Sequence, residues 1–130
     1  MAPSDQAPSG FAGLAGVEWL DAREEEAHAR IEVEEHHKQP YGFVHGGVFA
    51  TLAESVASHA TAAASGMAAI GMSNNTTFMR PVTRGQIDAV ARRRHAGRTT
   101  WVWDVEMTDG EGRLCALSRM TIAVRELDGG

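Results

Sequence analysis

At 130 residues, 43% hydrophobic and 22% charged, the chain has the size and make-up of one globular domain with its own core. A formal charge of -5 argues against a nucleic-acid partner, and no segment is long and apolar enough to span a bilayer. Cys115 is the only cysteine, and the opening MAPSDQAPSG lacks the basic start and apolar run of a signal peptide. A reducing, cytoplasmic setting is therefore expected.

Residues 1–12, rich in Ala, Pro, Ser and Gly, read as a flexible tail, residues 13–126 as one domain and residues 127–130 as a second flexible tail. In the acidic segment VEWLDAREEEAHARIEVEE, Ala27, Ala29, Ile31 and Val33 alternate with polar residues, which predicts a strand with one wet face. A loop punctuated by Pro40 and Gly42 leads to a helix that begins near Gly46 and runs into the 60s. On a 100° wheel Val48, Phe49, Leu52, Ala53, Val56, Ala60 and Ala63 form its apolar stripe. Thr51, Glu54, Ser58 and Thr61 lie away from that stripe, on a face too poor in charge for a free surface.

From residue 67 the pattern changes to period two. Strands are predicted over residues 67–79, 86–94, 99–108 and 114–124, with turns at 95–98 and 109–112. Trp101, Trp103, Val105 and Met107 share one face of the third, and Cys115 sits in the last as a small core residue. Short turns make neighbouring strands antiparallel. One helix with few solvating side chains must be widely covered, so an α+β fold is predicted, a curved antiparallel sheet wrapped around one long central helix. His59 projects toward the apolar stripe and reads as a core histidine.

Three features carry chemistry. His45-Gly46-Gly47 opens the helix, where unpaired N–H groups and the helix dipole favour an oxyanion. Glu54 is the only charged side chain between Gly46 and Ala64, with Ser58 one turn later on the same face. A carboxylate in such a segment must be held by hydrogen bonds or have work to do, as a nucleophile or as a general base. Third, six arginines (80, 84, 92, 93, 94 and 98) face one acid, Asp88, between residues 80 and 98. This excess reads either as a solvated strand edge or as a site for the phosphates of a nucleotide-bearing substrate. Glu54 lies eight residues beyond Gly46, roughly 12 Å along the axis at ~1.5 Å per residue. Both can act on one carbon if two such helices run antiparallel across a two-fold axis, and a shared site of that kind is the expectation.

The chain also resembles the hotdog-fold acyl-CoA thioesterases, and among them the Glu-type 4-hydroxybenzoyl-CoA thioesterases. The resemblance rests on Gln39, GxxHGG at 42–47, LAE at 52–54, SNxTxFxRPV at 73–82 and HAGxTTWxWDV at 95–105. GRLCA at 112–116 and IAVR at 122–125 extend it, so that it spans residues 17–125. It implies hydrolysis of an aryl acyl-CoA, 4-hydroxybenzoyl-CoA first, with 1,4-dihydroxy-2-naphthoyl-CoA, phenylacetyl-CoA or carrier-bound aryl groups as alternatives. Glu54 would be the catalytic carboxylate and the Gly46 amide the carbonyl-polarising group. Gln39 would hold the substrate, His45 would support the loop, and Ser58 would orient the carboxylate or the attacking water. Arg80, Arg98 and Thr99 would face the CoA phosphates. No metal and no cofactor beyond the CoA of the substrate is implied. The assembly implied is a homodimer with shared sites, paired into a tetramer.

Two positions depart from the family pattern. Arg98 replaces a small hydroxyl residue, and Glu126-Leu127-Asp128 is acidic where a basic residue is usual. Two other readings compete: a hotdog hydratase, which would place a His on the acyl chain, and an acyl-CoA-binding protein without catalysis.

Overall fold

Helix α2, Gly46–Ser65, lies across a six-stranded antiparallel sheet in the order β1-β2-β4-β5-β6-β3. The computed structural model describes residues 7–126; the expected tail at 127–130 and residues 1–6 of the N-terminal tail lie outside the described residues. The strands are β1 (Val17–Ala22), β2 (Glu26–Glu32), β3 (Ala68–Phe78), β4 (Gln86–Ala96), β5 (Thr100–Asp109) and β6 (Leu114–Arg125). This is the hotdog architecture that the resemblance implied. A short helix, α1 (Gly10–Leu14), occupies the end of the segment read as tail, and β1 is a strand not distinguished in the acidic segment. Neither carries a clear period: α1 buries no residue, and β1 buries only Val17.

The faces follow the alternation. Trp101, Trp103, Val105 and Met107 of β5 pack inward with Ile31, Ile87, Met120 and Ile122 from the neighbouring strands. Against them α2 buries Phe49, Leu52, Ala53, Val56, Ala57 and Ala60. Each fully buried large aliphatic side chain contributes roughly 1.5–3 kcal/mol, which the sheet can supply on one side of the helix only. Gly66 ends α2 in the left-handed conformation (φ 70°), its N–H donating to the Ala62 carbonyl.

Three assignments change. Thr61, placed away from the apolar stripe by the helical wheel, is buried on the sheet side. Its hydroxyl donates to the Ala57 carbonyl (2.8 Å) and accepts the Trp103 indole N–H (2.8 Å), so the polar atoms are satisfied in the core. Val48 and Ala63 are only half-buried. His59 is half-buried rather than in the core, stacked on Trp19 of β1 with ring centres 4.0 Å apart and planes 8° from parallel.

Strand β3 is the edge of the sheet and is exposed over most of its length, with Ile70, Met72 and Phe78 facing solvent. An unpaired edge carrying large apolar side chains is a surface that natural proteins cover.

Two outcomes follow from the core. Thr61→Val keeps the shape but strands the Trp103 N–H, and is expected to cost about 1–3 kcal/mol in urea unfolding, while Thr61→Ser retains most of the stability. Burial pushes the His59 pKa below its usual 6.5. The unfolded chain then binds more protons just below that pH, so stability falls as pH drops through this window. Urea unfolding at about pH 7.5 and about pH 5.5 should show a smaller loss for His59→Phe than for the native chain. An equal loss in both would contradict the assignment.

Candidate active site

The loop before α2 is built around backbone contacts. Gln39 N–H donates to the Phe43 carbonyl (2.7 Å), Gly42 N–H donates back to the Gln39 carbonyl (2.9 Å), and Lys38 pairs with Val44 as an isolated bridge. Gly42 turns the chain at φ 91°, a region that side chains disfavour. His37, buried beneath, ties three segments together. Its Nδ1 accepts the Glu34 N–H (2.9 Å), its Nε2 donates to the Ala15 carbonyl (2.6 Å), and its own carbonyl accepts the His45 N–H (2.8 Å).

His45 is the N-cap of α2, and its Nδ1 accepts the Gly47 N–H at 2.9 Å. The Val48 N–H goes to the His45 carbonyl. The Gly46 N–H has no acceptor among the described residues, so one amide at the helix terminus points away unpaired. A side chain at 46 would also displace the Phe78 ring, since a Cβ there would lie 2.8 Å from it. Gln39, His45, Gly46, Phe78 and Arg80 share the lining of one cavity of ≈ 500 Å³.

Glu54 is elsewhere. It borders a second, smaller cleft of ≈ 300 Å³ with Phe11, Thr51, Ser55 and Asn74. Glu54 is exposed in the single chain, at the side of α2 that meets only the edge strand β3. Among the described residues it has no hydrogen-bond or ion-pair partner, and Ser58 does not bond to it. Gly46 and Glu54 line different cavities, as the ~12 Å interval along the axis demands.

The three residues expected at CoA phosphates are likewise divided. Arg80 N–H donates to the Cys115 carbonyl at one end of β6, and Val124 N–H donates to the Thr99 carbonyl at the other. Nine residues of strand separate these points, about 30 Å at ~3.3 Å per residue. Arg98 and Thr99 are exposed in the β4–β5 turn. The arginine excess also resolves into two groups. Arg92 pairs with Glu26 and Glu106, Arg93 with Glu25, and Arg94 with Asp104, which Arg119 also binds through two nitrogens. These are cross-strand pairs, their acids supplied by other strands and by the β1–β2 turn, so the solvated-strand reading holds for them. Arg80, Arg84 and Arg98 have no ion pair among the described residues.

Cys115 is buried, and burial pushes its thiol pKa up, as fits a core residue and not a nucleophile. Sequence reasoning missed Phe11, Gly71 and Asn74 as neighbours of Glu54. Asn74 could have been found inside SNxTxFxRPV, where it is a polar residue on the helix-facing side of β3. Phe11 and Gly71 had no such signal.

The sequence pattern of the Thioesterase superfamily matches residues 41–116 of this chain. A 1,4-dihydroxy-2-naphthoyl-CoA hydrolase from Listeria monocytogenes is 34% identical over 119 residues, covering 90% of this chain and 97% of that protein. The proofreading thioesterase EntH from Cronobacter turicensis is 32% identical over 111 residues, covering 84% of this chain and 81% of that protein. Among solved structures, a thioesterase from Haemophilus influenzae superposes with a TM-score of 0.85 at 31% identity, covering 91% of this chain and 85% of that one.

Proposed function

Because this chain belongs to the thioesterase superfamily, we propose that it hydrolyses an aromatic acyl-CoA thioester to the free acid and CoA, in a site completed by a second copy of the chain. The observation that carries this reading is the pairing, on one helix, of an unpaired terminal amide at Gly46 with an unpartnered carboxylate at Glu54. Each has the chemistry that the other lacks.

In this reading the thioester carbonyl oxygen accepts the Gly46 N–H, which strengthens as negative charge develops; such a donor is worth on the order of 10²–10³ in kcat. Gln39 and Arg80, in the same cavity, hold the substrate on either side. A Glu54 oxygen attacks the acyl carbon, the C–S bond breaks, and the CoA thiolate leaves with its electron pair and takes up a proton. Water then cleaves the mixed anhydride. The alternative is that Glu54 removes a proton from a water that attacks the same carbon. Hydrolysis in labelled water under single-turnover conditions separates the two, since label entering Glu54 requires the anhydride.

The β3 edge supplies the means of assembly. If two β3 strands paired antiparallel about Asn74, Gly71 of one chain would stand opposite Thr77 of the partner subunit. Glu54, which lies against Gly71, would then reach Phe78 and Gly46 of the partner subunit. The same pairing would carry Arg98 and Thr99 of one chain toward Arg80 of the other. It would also cover Ile70 and Met72.

4-Hydroxybenzoyl-CoA is the first substrate to test. The name of the Listeria relative favours a bicyclic aryl group as the second reading, and the cleft at Glu54 has an aromatic wall in Phe11. A kinetic panel of 4-hydroxybenzoyl-, 1,4-dihydroxy-2-naphthoyl-, phenylacetyl- and aliphatic acyl-CoAs is expected to show turnover concentrated on the aryl esters. Glu54→Gln should lose on the order of 10²–10⁴ in kcat while still binding the ester. Retention of most activity by this variant would remove Glu54 from the mechanism. Tight binding with negligible turnover across the panel would make the protein an acyl-CoA binder.

A further inference from the structure

Strand β3 approaches α2 along the turn that carries Glu54, and the two elements touch there in an unusual way. The carboxylate lies against the bare Cα of Gly71. A Cβ built on Gly71 would stand 3.1 Å from Glu54 Oε2, 3.3 Å from its Cδ and 3.6 Å from its Cγ. The backbone does not call for glycine here: six described glycines have positive φ, and Gly71 is not one of them. Glycine inside a strand costs stability and is found where something approaches closely. The register also shifts between Gly71 and Ser73, a bulge of the kind that re-aims side chains beside functional sites.

Asn74 makes the second contact. Its Nδ2 donates to the Ala50 carbonyl at 2.9 Å, the carbonyl that α-helical geometry pairs with the Glu54 N–H. Its Oδ1 accepts the Thr76 hydroxyl at 2.6 Å, and that hydroxyl lies 2.9 Å from Ser118 Oγ on β6. The edge strand therefore holds the Glu54 turn at its backbone through Asn74, and faces its carboxylate with a residue that has no side chain.

We propose that Gly71 is a positioning residue for the Glu54 carboxylate, its missing side chain forming a seat matched to the length of glutamate. The inference rests on the catalytic reading of Glu54. A methyl group at 71 would push the carboxylate by a few tenths of an ångström. Glu54 is the flexible partner and has no hydrogen bond or ion pair among the described residues to hold it, so the displacement falls on the reacting group and not on the fold. Aspartate, one methylene shorter, would not reach the seat.

The test is a cycle of Gly71→Ala in the native and Glu54→Asp backgrounds, assayed on the best aryl-CoA of the panel. In the native background kcat is expected to fall about tenfold with KM within about twofold, with a urea midpoint no lower than that of the native chain and an unchanged oligomeric state. In the Glu54→Asp background the same substitution should change kcat by less than about twofold. An unchanged kcat for Gly71→Ala, an equal loss in both backgrounds, or a loss that tracks the urea midpoint or the oligomeric state would each overturn the seat. If Gly71→Ala is silent while Glu54→Gln is inactive, the seat alone fails. If Glu54→Gln is active, the catalytic reading fails first.

Discussion

The eight-residue interval between Gly46 and Glu54 on a single stiff helix is the constraint on which the rest of the site depends. An α-helix cannot fold back on itself, so the ~12 Å between the Gly46 amide and Glu54 is fixed by geometry. Packing holds the helix in place: Leu52, Ala53, Val56 and Ala57 are wholly buried against the sheet. One chain therefore keeps Gly46 and Glu54 apart, in a cavity with Gln39 and Arg80 and in a cleft with Asn74, which the proposed function reads as two half-sites. The proposed dimer answers that constraint, because antiparallel helices related by a two-fold axis bring unlike ends together twice.

The edge strand links the two problems. β3 leaves apolar side chains in solvent at the margin of the sheet, and the same strand runs past Glu54, Asn74, Phe78 and Gly46 on its helix-facing side. In the proposed assembly, covering the edge and completing the site are one event. Stability and activity would then share an interface, and damage to β3 would be felt in both. The outer face of the sheet is different in character. There Glu26, Arg92, Asp104 and Arg119 alternate in sign across four strands, pairs that are solvated and individually worth little.

Much of this was legible in the chain itself. The helix over Gly46–Ser65 is written in an uninterrupted run without charge other than Glu54, and the strands after it in clear alternation. The isolation of Glu54 and its distance from Gly46 needed only the helical rise. What escaped reading did so for identifiable reasons. Thr61 lies away from the apolar stripe on an ideal wheel, yet it is buried, because a threonine in a helix can satisfy its own hydroxyl on the carbonyl four residues back and still accept from Trp103. The arginines from 92 to 94 read as an excess because their acids sit on β2, on β5 and in the β1–β2 turn, tens of residues away in some cases. Arg80 and Arg98 looked like neighbours in sequence, yet an antiparallel strand carries them to opposite ends of the sheet. Gly71 was silent, since a missing side chain has meaning only beside the group that needs the space.

The most direct measurement is activity on mixing two separately inactive variants, Glu54→Gln and Gly46→Val, the second placing a branched side chain at the helix terminus against the Phe78 ring. After dissociation and reassociation, half of randomly formed dimers are mixed, and each has one intact site of two. The account predicts recovery to about a quarter of native turnover. A mixture no more active than its components, or full activity in a native chain held monomeric, would contradict a site shared between two chains.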